Sequence, residues 1–219
     1  MNPEYEILDW DTNFFGIKVA RGLNFIGNDG LAELIERLRG EGVRVAYFMA
    51  DPLDVLKNDA LHAAGAILVD EKVTYTINTQ GMTPPHCNSI VEYKGDGNDK
   101  NLLRIACQAG EFSRFRVDKN FGDEACDRLY KQWIRNDASI ESKSYLYVYR
   151  LEDSIIGLIT VKAFDGVGSI GLIGVSSMHR GKNVGKALID RAVTHFQQRE
   201  IFNIDVVTQK ANLPACGFY

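Results

Sequence analysis

The sequence predicts an α/β fold: a mixed, mostly antiparallel sheet with flanking helices, preceded by a smaller α/β N-terminal domain. Three observations lead there. In the second half, two β-rich runs flank Glu152-Asp153-Ser154, and "DGVG" at residues 165–168 turns into a third run. Helical stripes spaced i, i+3, i+4, i+7 recur in both halves. Between the halves, "TQGMTPPHCNS" at residues 79–89 gathers Gly81, Pro84 and Pro85, as a linker does. The expected division is a domain over residues 1–80, a linker over 81–89 and a larger domain over 90–219.

The elements follow in order. Leu31, Leu34, Ile35 and Leu38 form one apolar helix face, with Gly40 as its stop. "VRVAYFMAD" from Val43 alternates and is rich in β-formers, so it reads as a strand. Asp54 to Ala64 reads as a helix stopped by Gly65, and residues 66–78 as one long strand. "DKNLLRIACQAGEF" and "DEACDRLYKQWIRND" read as helices, the second striped by Cys126, Leu129, Tyr130 and Trp133. The polar and basic "SRFRVDKNFG", residues 113–122, lies between them. Leu188, Ile189, Ala192, Val193 and Phe196 line a last helix from Gly185 to about Arg199, and "NIDVVTQ" is the strand after it.

Composition narrows the function classes. A net charge of −4 over 219 residues argues against bulk nucleic-acid binding, which needs a basic face. No run approaches the ~20 apolar residues of a membrane span. "MNPEYEILDW" lacks the basic start and apolar core of a signal peptide. Cys87, Cys107, Cys126 and Cys216 form no CxxC pair, and no histidines bracket them at zinc spacing. The expectation is a cytoplasmic protein with four reduced thiols and no metal.

"HRGKNVGKAL", residues 179–188, places glycines and cations between a strand and a helix. The first N–H groups of a helix have no internal partners, and the helix dipole adds partial positive charge there. Small side chains let a phosphate approach, while Arg180, Lys182 and Lys186 add charge. Taken alone, the turn fits a phosphate cradle and an ordinary basic loop equally. It is neither a Walker loop nor GxGxxG.

The order strand, "RGKNVGKAL", helix, strand, "NLPACGFY" resembles the acetyl-CoA-binding core of the GNAT family of N-acetyltransferases. The resemblance implies that Ile173, Gly174 and Val175 lie on a strand that splays from its neighbour and holds the pantetheine and thioester. It implies that Arg180, Gly181, Lys182, Asn183, Val184, Gly185 and Lys186 bind the pyrophosphate of acetyl-CoA. Asn183 stands where the family usually has glycine; Asn tolerates the left-handed backbone better than other non-glycine residues. Asn212, Ala215 and Tyr219 fit the family's Asn-x-x-Ala-x-x-x-Tyr pattern. The resemblance places Asn212 on the cofactor and Tyr219 near the sulfur. A phenol of pKa about 10 is protonated at neutral pH and can donate to the leaving thiolate. A terminal aromatic packed on the sheet is the structural alternative. Domains of this family continue past the Tyr through a helix and two strands, so the resemblance implies missing C-terminal strands and an open sheet edge.

"WDTNFFGIKVAR", residues 10–21, and "SRFRVD", residues 113–118, look like motifs of the TDP-fucosamine acetyltransferase group within that family. This implies an acceptor that is the 4-amino group of a TDP-linked dideoxy sugar for surface polysaccharide. Arg114 and Arg116 suit its pyrophosphate, and Phe115 or Phe121 its thymine. A helix cap with solvated charge fits the segment equally well. Phe14 and Phe15 read as core. Asp70, with Glu71 beside it, is the candidate general base. Two rivals stand beside this reading: a GNAT acetyltransferase for another amine (a protein N-terminus or a small molecule), and a CoA-binding protein without catalysis. The resemblance also admits a homodimer.

Overall fold

Local periodicity builds two separate sheets. The computed structural model describes residues 4–219, so residues 1–3 of the expected first domain lie outside the described residues. The chain divides into two units between Leu68 and Val69.

In the smaller unit, β1 (Tyr5–Ile7) pairs antiparallel with β2 (Val19–Gly22), and β3 (Val45–Phe48) pairs parallel with β2. Helix α1 (Asp9–Phe15) joins β1 to β2, and α2 (Gly27–Gly40) supplies the crossover that a parallel pair requires. Leu31, Leu34 and Leu38 of the predicted stripe are buried, and Leu34 and Leu38 close on Ala20 of β2. Helix α3 (Val55–Ala63) starts where the Asp54 carboxylate accepts the Lys57 N–H, and Gly65 follows it with φ 82°. Phe14 and Phe15, expected in the core, are only half-buried; Phe14 stacks on Trp10 with centroids 5.0 Å apart.

The larger unit holds six strands: β4 (Lys72–Asn78), β5 (Ile90–Glu92), β6 (Tyr145–Leu151), β7 (Ser154–Phe164), β8 (Val167–Val175) and β9 (Asn203–Gln209). Their order is β4-β9-β8-β7-β6-β5, antiparallel throughout except for β8 beside β9. Helices α4 (Lys100–Ala109), α5 (Arg114–Val117) and α6 (Asp123–Ala138) precede the hairpins, α7 (Val184–Gln197) links β8 to β9, and α8 (Leu213–Phe218) ends the chain. Central β7 is buried without a break from Ile155 to Val161 because both sheet faces are covered. Ile155 and Leu158 pack with Leu102 and Ile105 of α4 and Ile134 of α6. Ile156, Ile159 and Val161 pack with Leu188, Ala192 and Phe196 of α7. Helix α7 lies so close to the sheet that a Cβ on Gly168 would sit 2.8 Å from the Phe196 ring.

Three expectations change here. The long strand begins at Lys72, not at residue 66. It pairs with β9 from Lys72↔Gln209 to Asn78↔Asn203, so it belongs to the larger unit and the division falls after Leu68 rather than at residue 80. Residues 79–89 therefore join two edge strands of one sheet instead of linking two domains. They are tied down as they cross: the Thr79 N–H donates to the Phe202 carbonyl at 2.7 Å, and Gln197 Nε2 donates to the carbonyls of Thr79 and Met82. Strand β9 is flanked by β4 along its whole length, so β4 and β5 are the edges of this sheet.

Candidate active site

Strands β8 and β9 are joined only from Gly168↔Ile204 to Ile170↔Val206. Beyond that point β9 stays paired with β4 up to Gln209, and β8 stays paired with β7 up to Val175. Residues Gly171 to Val175, which include Ile173 and Gly174, thus have no strand on their β9 side. The splay that the resemblance implied is a feature of the molecule, and its backbone groups face an open slot.

The slot leads to the turn before α7. Gly181 has φ 74° and Asn183 has φ 60°, ψ 9°, so Asn183 does adopt the left-handed conformation that glycine would supply. No side chain caps α7, which leaves its first N–H groups directed outward. Arg180, Lys182 and Lys186 are exposed around them. Arg180 Nε donates to the Val175 carbonyl at 3.3 Å, which ties the turn to the end of β8; Lys186 pairs with Asp190 at 2.8 Å. His179 Nδ1, at the entrance of the turn, is buried without a hydrogen-bond partner. Val184 is a core side chain, so it offers the turn only its backbone. The residues present fit an anionic diphosphate.

Helix α8 sits beside this turn. Asn212 Oδ1 accepts the Ala215 N–H at 3.2 Å and caps α8, which fixes the side chain that was expected to reach the cofactor. The Phe218 ring lies 3.3 Å from where a Cβ on Gly185 would stand. Tyr219 is half-buried, 5.6 Å from the Tyr75 ring, in the same apolar cluster as Ile173, Val175 and Val184. Burial, then the nearby Cys216, pushes the Tyr219 phenol up to about 12. The fold therefore brings the terminal Tyr, the splayed strand and the basic turn together.

The SRFR segment does less than expected. The Ser113 hydroxyl accepts the Phe115 N–H and caps α5. Phe115 is 3 % exposed and packs edge-on against Phe121 and Trp133, so it is core and cannot stack a base. Arg116 donates to the carbonyl and carboxylate of Asp123 and pairs with Asp127, so its fork clamps the start of α6. Arg114 lies with its guanidinium 4.5 Å from the Phe115 ring, and Phe121 is half-buried against that ring.

Asp70 precedes β4 rather than lying on a strand. One of its carboxylate oxygens is buried without a hydrogen-bond partner. Burial raises its pKa, opposed by the charges of Lys72 and Arg114. Glu71 pairs with Lys210 at 3.0 Å. Sequence reasoning missed Asp137 in the last turn of α6. It lines a cleft of about 260 Å³ with Trp133, Ser144, Thr160, Lys162, Gly171 and Leu172, at the foot of the splay. Nothing in "WIRND" signals this, because the neighbours come from distant strands. Among the described residues no three His, Cys, Asp or Glu side chains gather as a metal site needs, and no helix is long and apolar enough to cross a membrane.

With this geometry in hand, the chain belongs to the acetyltransferase (GNAT) family, whose model matches residues 110–219. It is 34 % identical over 90 residues to a streptothricin acetyltransferase of Escherichia coli, covering 41 % of this chain and 51 % of that protein. It is 30 % identical over 95 residues to streptothricin acetyltransferase A of Bacillus subtilis (strain 168), covering 41 % and 55 %. The chain spans about half the length of these curated relatives. The crystal structure of a GCN5-related N-acetyltransferase from Sphaerobacter thermophilus shares the fold, with a TM-score of 0.55, 14 % identity, and coverage of 94 % of this chain and 67 % of that one.

Proposed function

We propose that this chain transfers the acetyl group of acetyl-CoA to an amine by direct attack on the thioester. One observation carries the reading: the slot between β8 and β9 ends on the uncapped, basic N-terminus of α7. A pantetheine arm lies along the free backbone of Ile173 to Val175, and the diphosphate meets the N–H groups and cations from Arg180 to Lys186. In the step, the amine nitrogen bonds to the carbonyl carbon and the carbon–sulfur bond breaks. The amine's proton goes to Asp70, whose buried position favours accepting it. The sulfur takes a proton or a strong hydrogen bond from Tyr219. Water restores both groups. The phenol, at about 12, is a weaker acid than a thiol near 8.5, so Tyr219 contributes chiefly by stabilising charge on sulfur as the bond breaks.

The acceptor is the finer question. A TDP-linked 4-amino sugar keeps Arg114 and Phe121 as its supports, since Phe115 and Arg116 are committed to the core and to α6. The names of the two relatives make streptothricin the second acceptor to assay. Thermal unfolding with acetyl-CoA and, separately, with TDP tests the reading. Acetyl-CoA at 100-fold over its Kd is expected to add about 2.7 kcal/mol of stability. A shift with TDP as well favours the nucleotide sugar; no shift with TDP removes it. No shift with acetyl-CoA removes the whole reading.

A further inference from the structure

We propose that Thr160 of β7 and Gly171 of β8 lock the point where β8 leaves β9, and that Thr160 is a positioning residue for the acetyl-CoA slot. This rests on the acetyl-transfer reading above.

The last β8/β9 pair is Ile170↔Val206. On the other side of β8, Val161 pairs with Ile170 but Thr160 pairs with Leu172, so Gly171 is the extra residue of a bulge. A bulge bends its strand and interrupts the ladder. Here the bend coincides with the residue at which β8 parts from β9. The Leu172 N–H donates to the Thr160 hydroxyl oxygen at 2.9 Å, and Thr160 is 2 % exposed. That hydroxyl still has a proton to give. Asp137 lines the same cleft, with Ser144 and Lys162. Burial works against the Asp137 charge, while Ser144, Lys162 and Thr160 support it. Gly171 is part of the same device, because a Cβ there would stand 2.8 Å from Thr160 Oγ1 and displace the hydroxyl. The lock thereby aims Ile173 to Val175 into the slot.

The test is calorimetric titration of acetyl-CoA into the full chain and four variants, well below each variant's melting temperature. Thr160→Val and Gly171→Ala are expected to weaken acetyl-CoA about tenfold, since each leaves the Leu172 N–H without its acceptor. Thr160→Ser, which keeps the hydroxyl, stays within twofold. Ile134→Val, a core change on α6 against β7, controls for general loosening. The proposal is overturned if Thr160→Val and Gly171→Ala bind within twofold of the parent, or if Ile134→Val loses as much as they do. If the parent chain itself does not bind acetyl-CoA, the acetyl-transfer reading falls first and the lock with it.

Discussion

The Tyr147 hydroxyl lies 2.7 Å from Nδ1 of His195, and both side chains are 2 % exposed. The pair joins β6 to α7. Two cations frame it: Arg191 lies over the Tyr147 ring, and Arg199 lies over Tyr145 and donates to the His195 carbonyl. Burial, then Arg199 and Arg191, hold the imidazole down to about 4, against a smaller opposing effect of Glu92.

This depression has a pH consequence. Between about 4 and 6.5 the unfolded chain binds a proton at His195 that the folded chain refuses. Stability present above pH 6.5 is therefore lost as the pH falls toward 4, by about 3 kcal/mol from this residue. Urea unfolding across that range measures it. His195→Gln should be less stable than the parent at pH 7 and show a shallower decline below it. An unchanged slope refutes the assignment.

Asn183 sits at φ 60° with no side-chain hydrogen bond across the cap. Asn183→Gly should cost little or stabilise slightly, because glycine takes this conformation freely. Asn183→Ala should cost about 1 kcal/mol, because alanine meets the left-handed penalty without the local polar compensation of Asn. Denaturant midpoints at constant m-value decide it.

Tyr219→Phe removes the hydroxyl and leaves the ring against Tyr75. Turnover should fall about a hundredfold, while the acetyl-CoA thermal shift is kept. With the phenol at about 12, Tyr219 stays protonated over the usual assay range and contributes no basic limb to the pH–rate profile. Equal turnover in the variant would mean that the ring only packs.

The two arginines of SRFR should separate. Arg116→Ala frees Asp123 and Asp127 and should destabilise α6 by about 1 kcal/mol with little effect on ligands. Arg114→Ala loses the contact over the Phe115 ring, at a cost of about 1 kcal/mol, and should abolish a TDP-induced thermal shift if a nucleotide sugar is the acceptor. The reverse pattern would return Arg116 to the site.

Much of this was legible in one dimension. The stripe Leu31, Leu34, Leu38 becomes the buried face of α2, and the run from Tyr145 to Phe164 becomes the β6–β7 hairpin. The tolerance of Asn for positive φ anticipates the turn at Asn183. Which of the two readings of Phe115 and Arg116 holds, ligand contact or helix cap, was not legible there, because whether an aromatic or cationic side chain faces solvent depends on what packs over it. Here that is Trp133 and Asp127, which lie on the following helix.

The sequence by itself determined the helices, the hairpins, the glycine- and cation-rich turn and the terminal Asn/Tyr pattern. Each depends on residues within a few positions of one another, where the 3.6 and 2.0 periods and the allowed φ values act directly. Only the tertiary structure decided that residues 72–78 leave their sequence neighbours to pair with β9. Only it placed the divergence of β8 at Ile170, and only it set Asp137 and Thr160 in one cleft. These relations join Tyr75 to Val206 and Asp137 to Thr160 across long stretches of chain. Their partners are chosen by burial and backbone pairing in the whole molecule, which no local pattern encodes.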